Sequence, residues 1–175
     1  MRQNCGFMKK TLFEREKMKW NELFEKWSPN LLKVNVGFAE MEFQPNDIDK
    51  DAAWEMYVEL QTRIITQDLN DESGDEKMAL ESVAKMFELT RLVLKKYGRH
   101  SPDFSRIALF ILNDQIRPFT AKWHRLSLNG AFEDVDKCQT FRDELKRLQV
   151  AIKGYASILA EMADMDDIHI NKNKS

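Results

Sequence analysis

Glycine, proline and cysteine are all scarce in this chain: 6, 4 and 2 among 175 residues. So few breakers argue against a sheet of many short strands, which needs a turn every few residues. Two cysteines, Cys5 and Cys138, do not make a disulfide framework, and reduced thiols are the expectation. The longest purely apolar run is IALFIL, residues 107–112. That is far short of the ~20 residues needed to cross a bilayer, so no membrane span is expected. The opening MRQNCGFMKK has no apolar core of a signal peptide, and the expected location is cytoplasmic. Glycine-rich nucleotide loops, a GxSxG elbow and an HExxH pair are missing. The three histidines, His100, His124 and His169, follow Tyr97, Ala121 and Asp166 at three residues' distance, so the paired Glu-x-x-His motifs of a di-iron bundle do not occur. The acidic stretch from Asp68 misplaces both the glycine and the closing glutamate of an EF-hand loop. No cofactor and no metal is therefore expected.

What is abundant is helix-forming and charged. Hydrophobic residues reach 43% and charged residues 32%, a pattern of helices with one apolar and one solvated side. The spacing predicts an amphipathic helix over 9–27, with Phe13, Trp20, Phe24 and Trp27 on one side, ended by Pro29. Residues 31–43 alternate with a period of two, which predicts an extended, strand-like arm with no second strand to pair with. Helices follow at 49–67 (helix A) and 76–97 (helix B, with Gly98 as the expected C-cap). Helix C starts at Ser101-Pro102-Asp103 and contains Pro118, which predicts a kink or break. Asn129-Gly130 marks a turn. Helix D, 134–163, carries Cys138, Phe141, Leu145, Leu148, Ile152, Tyr155, Leu159 and Met162 at alternating spacings of three and four, a heptad seam that requires a partner. The expected fold is all-α: a four-helix up-down bundle with a kinked third helix over 46–165, preceded by the helix and arm of 1–45 and followed by a disordered tail, 166–175.

Charge is unevenly spread. Residues 40–89 hold 4 Lys/Arg against 14 Asp/Glu, and residues 90–130 hold 8 against 2. Opposite blocks of this kind fix the pairing of neighbouring helices, and they also offer docking surfaces. On helix C an apolar face that includes Phe104, Ile111 and Trp123 stands opposite Arg106, Phe110, Asn113, Arg117 and His124. On helix A, Glu55 and Glu59 lie opposite the apolar stripe and repel each other, which invites a cation such as Arg117 or Arg91. The polar faces of helices A and C thus nominate Glu59, Arg63, Arg91, Asn113, Arg117 and His124 as a ligand site.

Three stretches carry a resemblance: AAWEMYVELQTRIITQDL (52–69), GDEKMALESVAKMFELTR (74–91) and ILNDQIRPFTAKWHRL (111–126). They are similar to a bacterial all-helical family with no established activity. The resemblance implies a bacterial origin and a discrete helical unit, and it transfers no catalytic residue.

The leading expectation is a non-enzymatic protein-interaction or regulatory module, an accessory component of a bacterial, defence-type system. Phe13, Trp20, Phe24 and Trp27 are its partner-binding candidates, and a protein partner or a homo-oligomer is its counterpart. One alternative is a sensor or enzyme for a small phosphate- or carboxylate-bearing ligand on the A/C polar face. The other is nucleic-acid binding through the basic block 91–125, which the overall acidity disfavours.

Overall fold

The computed structural model describes residues 18–29, 36–62 and 75–165, and these are all-α. The elements are α1 (Trp20–Trp27), α2 (Asp47–Gln61), α3 (Glu76–Tyr97), α4 (Pro102–Phe110), α5 (Arg117–Leu128) and α6 (Val135–Met162). Phe13, Arg63, the disputed loop from Asp68 and the tail lie outside the described residues.

The seam of α6 is buried as its spacing requires, from Phe141 to Met162, while Cys138 at its start is half-buried. Asp134 caps this helix by accepting from the backbone N–H of Asp136 and Lys137. Beyond Ala151 the burial spreads past the seam: Gly154, Ala156, Ile158 and Ala160 are also enclosed. The reason is that α6 is contacted by α2 on one side and by α1 on another.

α1, expected ahead of a bundle over 46–165, thus shares that bundle's core. Trp20, Leu23 and Phe24 are fully buried in the same apolar cluster as α6. Residues 36–43 do not form the expected strand. They turn at Gly37–Glu40 and fold back on α1, with Ala39 and Met41 carbonyls accepting from Asn21 and Trp20. An isolated bridge, Lys19 with Glu42, is the remnant of the predicted β character. The arm's backbone groups are satisfied by the start of a helix instead of by a second strand. Phe38 and Phe43 meet the Trp20 ring edge-on at 5.1 and 4.9 Å. The same cluster reaches Phe110, 6.2 Å from Phe24, so Phe110 belongs to the core and not to the polar face of helix C. A helix has two sides that can be covered, and α1 covers the second.

Between α4 and α5 the chain widens into a π-helical turn, Ile111–Ile116, and Pro118 falls at the second residue of α5. The helix runs on without a free end: the N–H of Arg117 donates to the Leu112 carbonyl five residues back, and the widened turn lies directly before the proline, which has no N–H to give. Gly98 ends α3 with right-handed dihedrals (φ −56°, ψ −26°), not as a left-handed C-cap. Gly130 has a φ of +73°, the left-handed turn expected of Asn-Gly.

Ser101 precedes α4 as predicted but makes no capping bond. The cap comes from α2: buried Asp49 accepts from the backbone N–H of Phe104 (2.9 Å) and of Asn46 (2.9 Å). Asn46 returns a bond to Asp49 N–H and donates to the carbonyl of His100. One carboxylate therefore serves two helix starts. Burial, and then the charge of nearby Asp103, raises the Asp49 carboxyl above its ordinary value.

Ion pairs tie the helices together. Lys96 of α3 meets Glu55 of α2 at 2.6 Å, and Arg142 of α6 meets Glu76 of α3 at 2.7 Å. Lys122 and the indole N–H of Trp123 on α5 both donate to Glu144 on α6. Burial alone would raise the Glu144 carboxyl, but these two donors outweigh it and leave it below the ordinary carboxylate range. The sign follows. A lowered native pKa stabilises above the unfolded value, and that contribution disappears as pH falls through the native one. Glu144→Gln is thus expected to cost about 1–2 kcal/mol at pH 7. The gap between variant and parent should narrow as pH falls from the ordinary glutamate value through the lower native one, in urea titrations followed by circular dichroism. A gap that does not narrow in acid would deny the carboxylate this role.

Candidate functional site

The residues nominated from the A and C polar faces do not converge. Glu59 lies on the outer side of α2, by a shallow cavity lined with Asp51, Trp54, Glu55, Val58 and Tyr97. Arg117 and His124 line a different cavity, where α5 runs beside α3, and Asn113 lies one turn before Arg117. The cation that answers Glu55 is Lys96, joined by the Tyr97 hydroxyl at 3.0 Å, and not Arg117 or Arg91. The hydrogen bond from Lys96, opposed by slight burial and helped by Tyr97, holds the Glu55 carboxyl below its usual range. Arg91 is exposed on α3 and lines neither cavity. Helix periodicity had placed these groups on polar faces correctly. It could not say that α3 would take Glu55 for itself.

What the structure does assemble is a groove of about 490 Å³ between α3 and α5. Its walls are Leu80, Ala84 and Phe87 from α3 and Thr120, Ala121 and Leu128 from α5. Leu80, Ala84 and Phe87 follow at four and three residues and form one stripe of α3, while on α5 Leu128 follows Ala121 at seven residues, with Thr120 at the edge of that stripe. The stripes face each other but hold small side chains, Ala84 and Ala121, where larger ones would close the gap. Lys77, Glu81, Arg117 and His124 stand at the rim.

Arg117 is held in place at this rim. Its Nε donates to Asn113 Oδ1 at 3.1 Å, one helical turn back, and its guanidinium lies over the Phe87 ring at 5.3 Å. Among the described residues no carboxylate lies within ion-pair distance of it. A planar fork that is oriented but not paired suits a carboxylate or phosphate from outside. The groove residues other than Arg117 and His124 were missed by sequence reading. The available signal was one exposed alanine on each helix, Ala84 and Ala121, which periodicity alone reads as ordinary solvated face.

The N-terminal partner candidates are placed differently. Trp20 and Phe24 point inward and are fully buried, so they serve the chain's own core and present nothing to a partner. Trp27 is half-buried, with its indole N–H on Glu161 and Lys26 beside it.

Chemistry-bearing groups are sparse. Burial, and then the Glu76 charge, pushes the Cys138 thiol up, and its Sγ donates to the carbonyl of Phe132; a thiol kept un-ionised is a weak nucleophile. The Tyr155 hydroxyl is buried and raised by desolvation. Among the described residues no three His, Cys, Asp or Glu side chains gather in a way that could hold a metal ion, and no helix is long and apolar enough to cross a membrane.

No protein-family model matches this chain, and neither the curated proteins nor the solved structures yield a match.

Proposed function

We propose that this chain is a non-enzymatic helical interaction module whose α3–α5 groove receives an apolar, acid-bearing segment of a protein partner. One observation carries it: a groove walled by apolar side chains, with an oriented arginine at its rim that has no acidic partner among the described residues. Helix-in-groove recognition uses this combination, in which apolar anchors at helical spacing supply affinity and a rim charge sets register. Leu128, 75% exposed at the groove's edge, is the sort of side chain that gains most from being covered. In this reading the chain is a cytoplasmic accessory component of a bacterial assembly, and the four long helical segments form an up-down bundle that displays the groove.

A second reading is favoured by Arg117 itself: a small amphiphile whose carboxylate or phosphate meets the guanidinium. Nucleic-acid binding by the 91–125 block is less favoured, because Lys96, Arg106 and Lys122 are each engaged by an acid of the same chain.

The test is a photo-crosslinking residue, p-benzoylphenylalanine, at Leu128 in the full chain, irradiated in cells. The expected outcome is a discrete protein adduct that disappears when Ala84→Trp fills the groove. An adduct pattern indifferent to Ala84→Trp, with the fold intact by circular dichroism, would remove the groove from consideration.

A further inference from the structure

The groove has an exposed apolar counterpart on the same molecule, at the edge of the shallow cavity beside Glu55 and Tyr97. On the outer side of α2, Ile48, Asp51, Trp54 and Val58 follow one another at three, three and four residues, and so form one ridge. Trp54 is 53% exposed, and Ile48 and Val58 are each 38% exposed. The Trp54 ring has a stacked neighbour in Tyr57, at 6.4 Å, yet half of its surface stays in water. A row of large apolar side chains left exposed beside acids marks a surface that is covered in some state of the protein.

We infer that the occupant of the α3–α5 groove is this α2 ridge from a second copy of the chain. The inference rests on the groove reading above and names its partner. Three features favour the fit. The first is charge: the ridge belongs to the acidic block, with Asp51 having no intrachain cation among the described residues, and the groove rim carries two cations, Arg117 and Lys77, against one acid, Glu81. The second is length: from Asp51 to Val58 is seven residues, and so is Leu80 to Phe87, about 10 Å along each helix. The third is shape. With Asp51 at Arg117, Trp54 falls near Ala84 and Ala121, where small side chains leave room, and Val58 reaches Leu80 and the level of His124, with Leu128 one turn beyond. Ridge and groove are different patches, so the contact is head-to-tail, and it propagates into a chain or closes into a ring.

Sedimentation velocity of the full chain across a concentration series tests this. Wild type is expected to grow in mass with concentration. A ridge variant (Asp51→Lys with Trp54→Ala) and a groove variant (Arg117→Glu with Leu128→Glu) should each remain monomeric, with unchanged helicity. Mixed in equal amounts they should form a 1:1 dimer and nothing larger, because the pair holds one intact groove and one intact ridge. Asp51→Lys alone should weaken association by roughly tenfold or more, and adding Arg117→Glu to the same chain should restore much of it. A wild type that stays monomeric at every concentration, or a ridge variant that associates like wild type, overturns the inference. In the first of those cases a groove-dependent foreign adduct at Leu128 would still uphold the groove reading. Self-association and adducts both indifferent to groove variants would bring down the two together.

Discussion

Gly154→Val is expected to loosen the attachment of α1 to α6 and to lower stability by about 3 kcal/mol or more, the upper end of what overpacking usually costs. A Cβ at this position would sit 2.6 Å from both Cβ and Oγ of Ser28, and 2.8 Å from the carbonyl oxygen of Trp27. Ser28 is short and buried, and the Trp27 carbonyl is backbone, so neither can swing away. The helix would have to shift, pulling Trp20 and Phe24 from their aromatic neighbours. Gly154→Ala meets the same first atoms but recovers about 1 kcal/mol of helix propensity, so its net loss should be nearer 2 kcal/mol. Ser28→Gly added to Gly154→Ala removes two of the three contacts and should restore part of the loss. Urea midpoints of the four proteins decide it. An alanine variant as stable as wild type would mean that α1 and α6 do not approach this closely.

The second large effect is expected at Asp49. Asp49→Ala leaves the buried N–H of Phe104, at the start of α4, and the part-buried N–H of Asn46, at the start of α2, without their acceptor. At about 1–3 kcal/mol for the buried donor, and less for the one that water can reach, a loss of roughly 2–3 kcal/mol follows. Ser101 is close in sequence to the first of these donors, yet its hydroxyl has no hydrogen-bond partner and does not cap the helix. The pH dependence has the opposite sign to that of Glu144. Burial raises the native Asp49 carboxyl, so the native state binds more protons than the unfolded chain between the ordinary aspartate value and the raised one. Stability contributed by this group is full below the unfolded value and declines as pH climbs through that window. Asp49→Asn removes the titration while keeping one acceptor. Relative to wild type it should therefore look worst in acid and improve towards neutrality, as read by thermal melts from pH 3 to 7. A difference that is flat across that range would contradict the assignment.

The two predictions concern contacts that no local pattern announces. The heptad stripe of α6 was readable because apolar side chains at three- and four-residue spacing face one way whatever else the chain does. The bounds of α3 and the turn at Gly130 were readable for the same reason, since each depends only on residues within a turn of itself. Phe110 was misplaced because it stands on the second side of its helix, and a lone helix does not reveal that α1 will lie there. Asp49 reads from the sequence only as the first residue of helix A. That it also caps α4 requires two helix starts to be neighbours across more than fifty residues of chain.

The candidate site divides in the same way. Arg117 with Asn113, and Glu55 with Glu59, were legible as polar faces because each pair is four residues apart on one helix. Their separation was not legible, since it depends on α3 meeting α2 through Lys96 and Glu55 and then turning another side towards α5. Composition and periodicity sufficed for an all-α chain with a long buried last helix, because helix propensity and the side on which apolar groups gather are properties of consecutive residues. Which helices adjoin, which alanines leave a groove open and which arginine stands beside it were decided by packing alone. Those outcomes depend on how the volumes and charges of distant segments fit together.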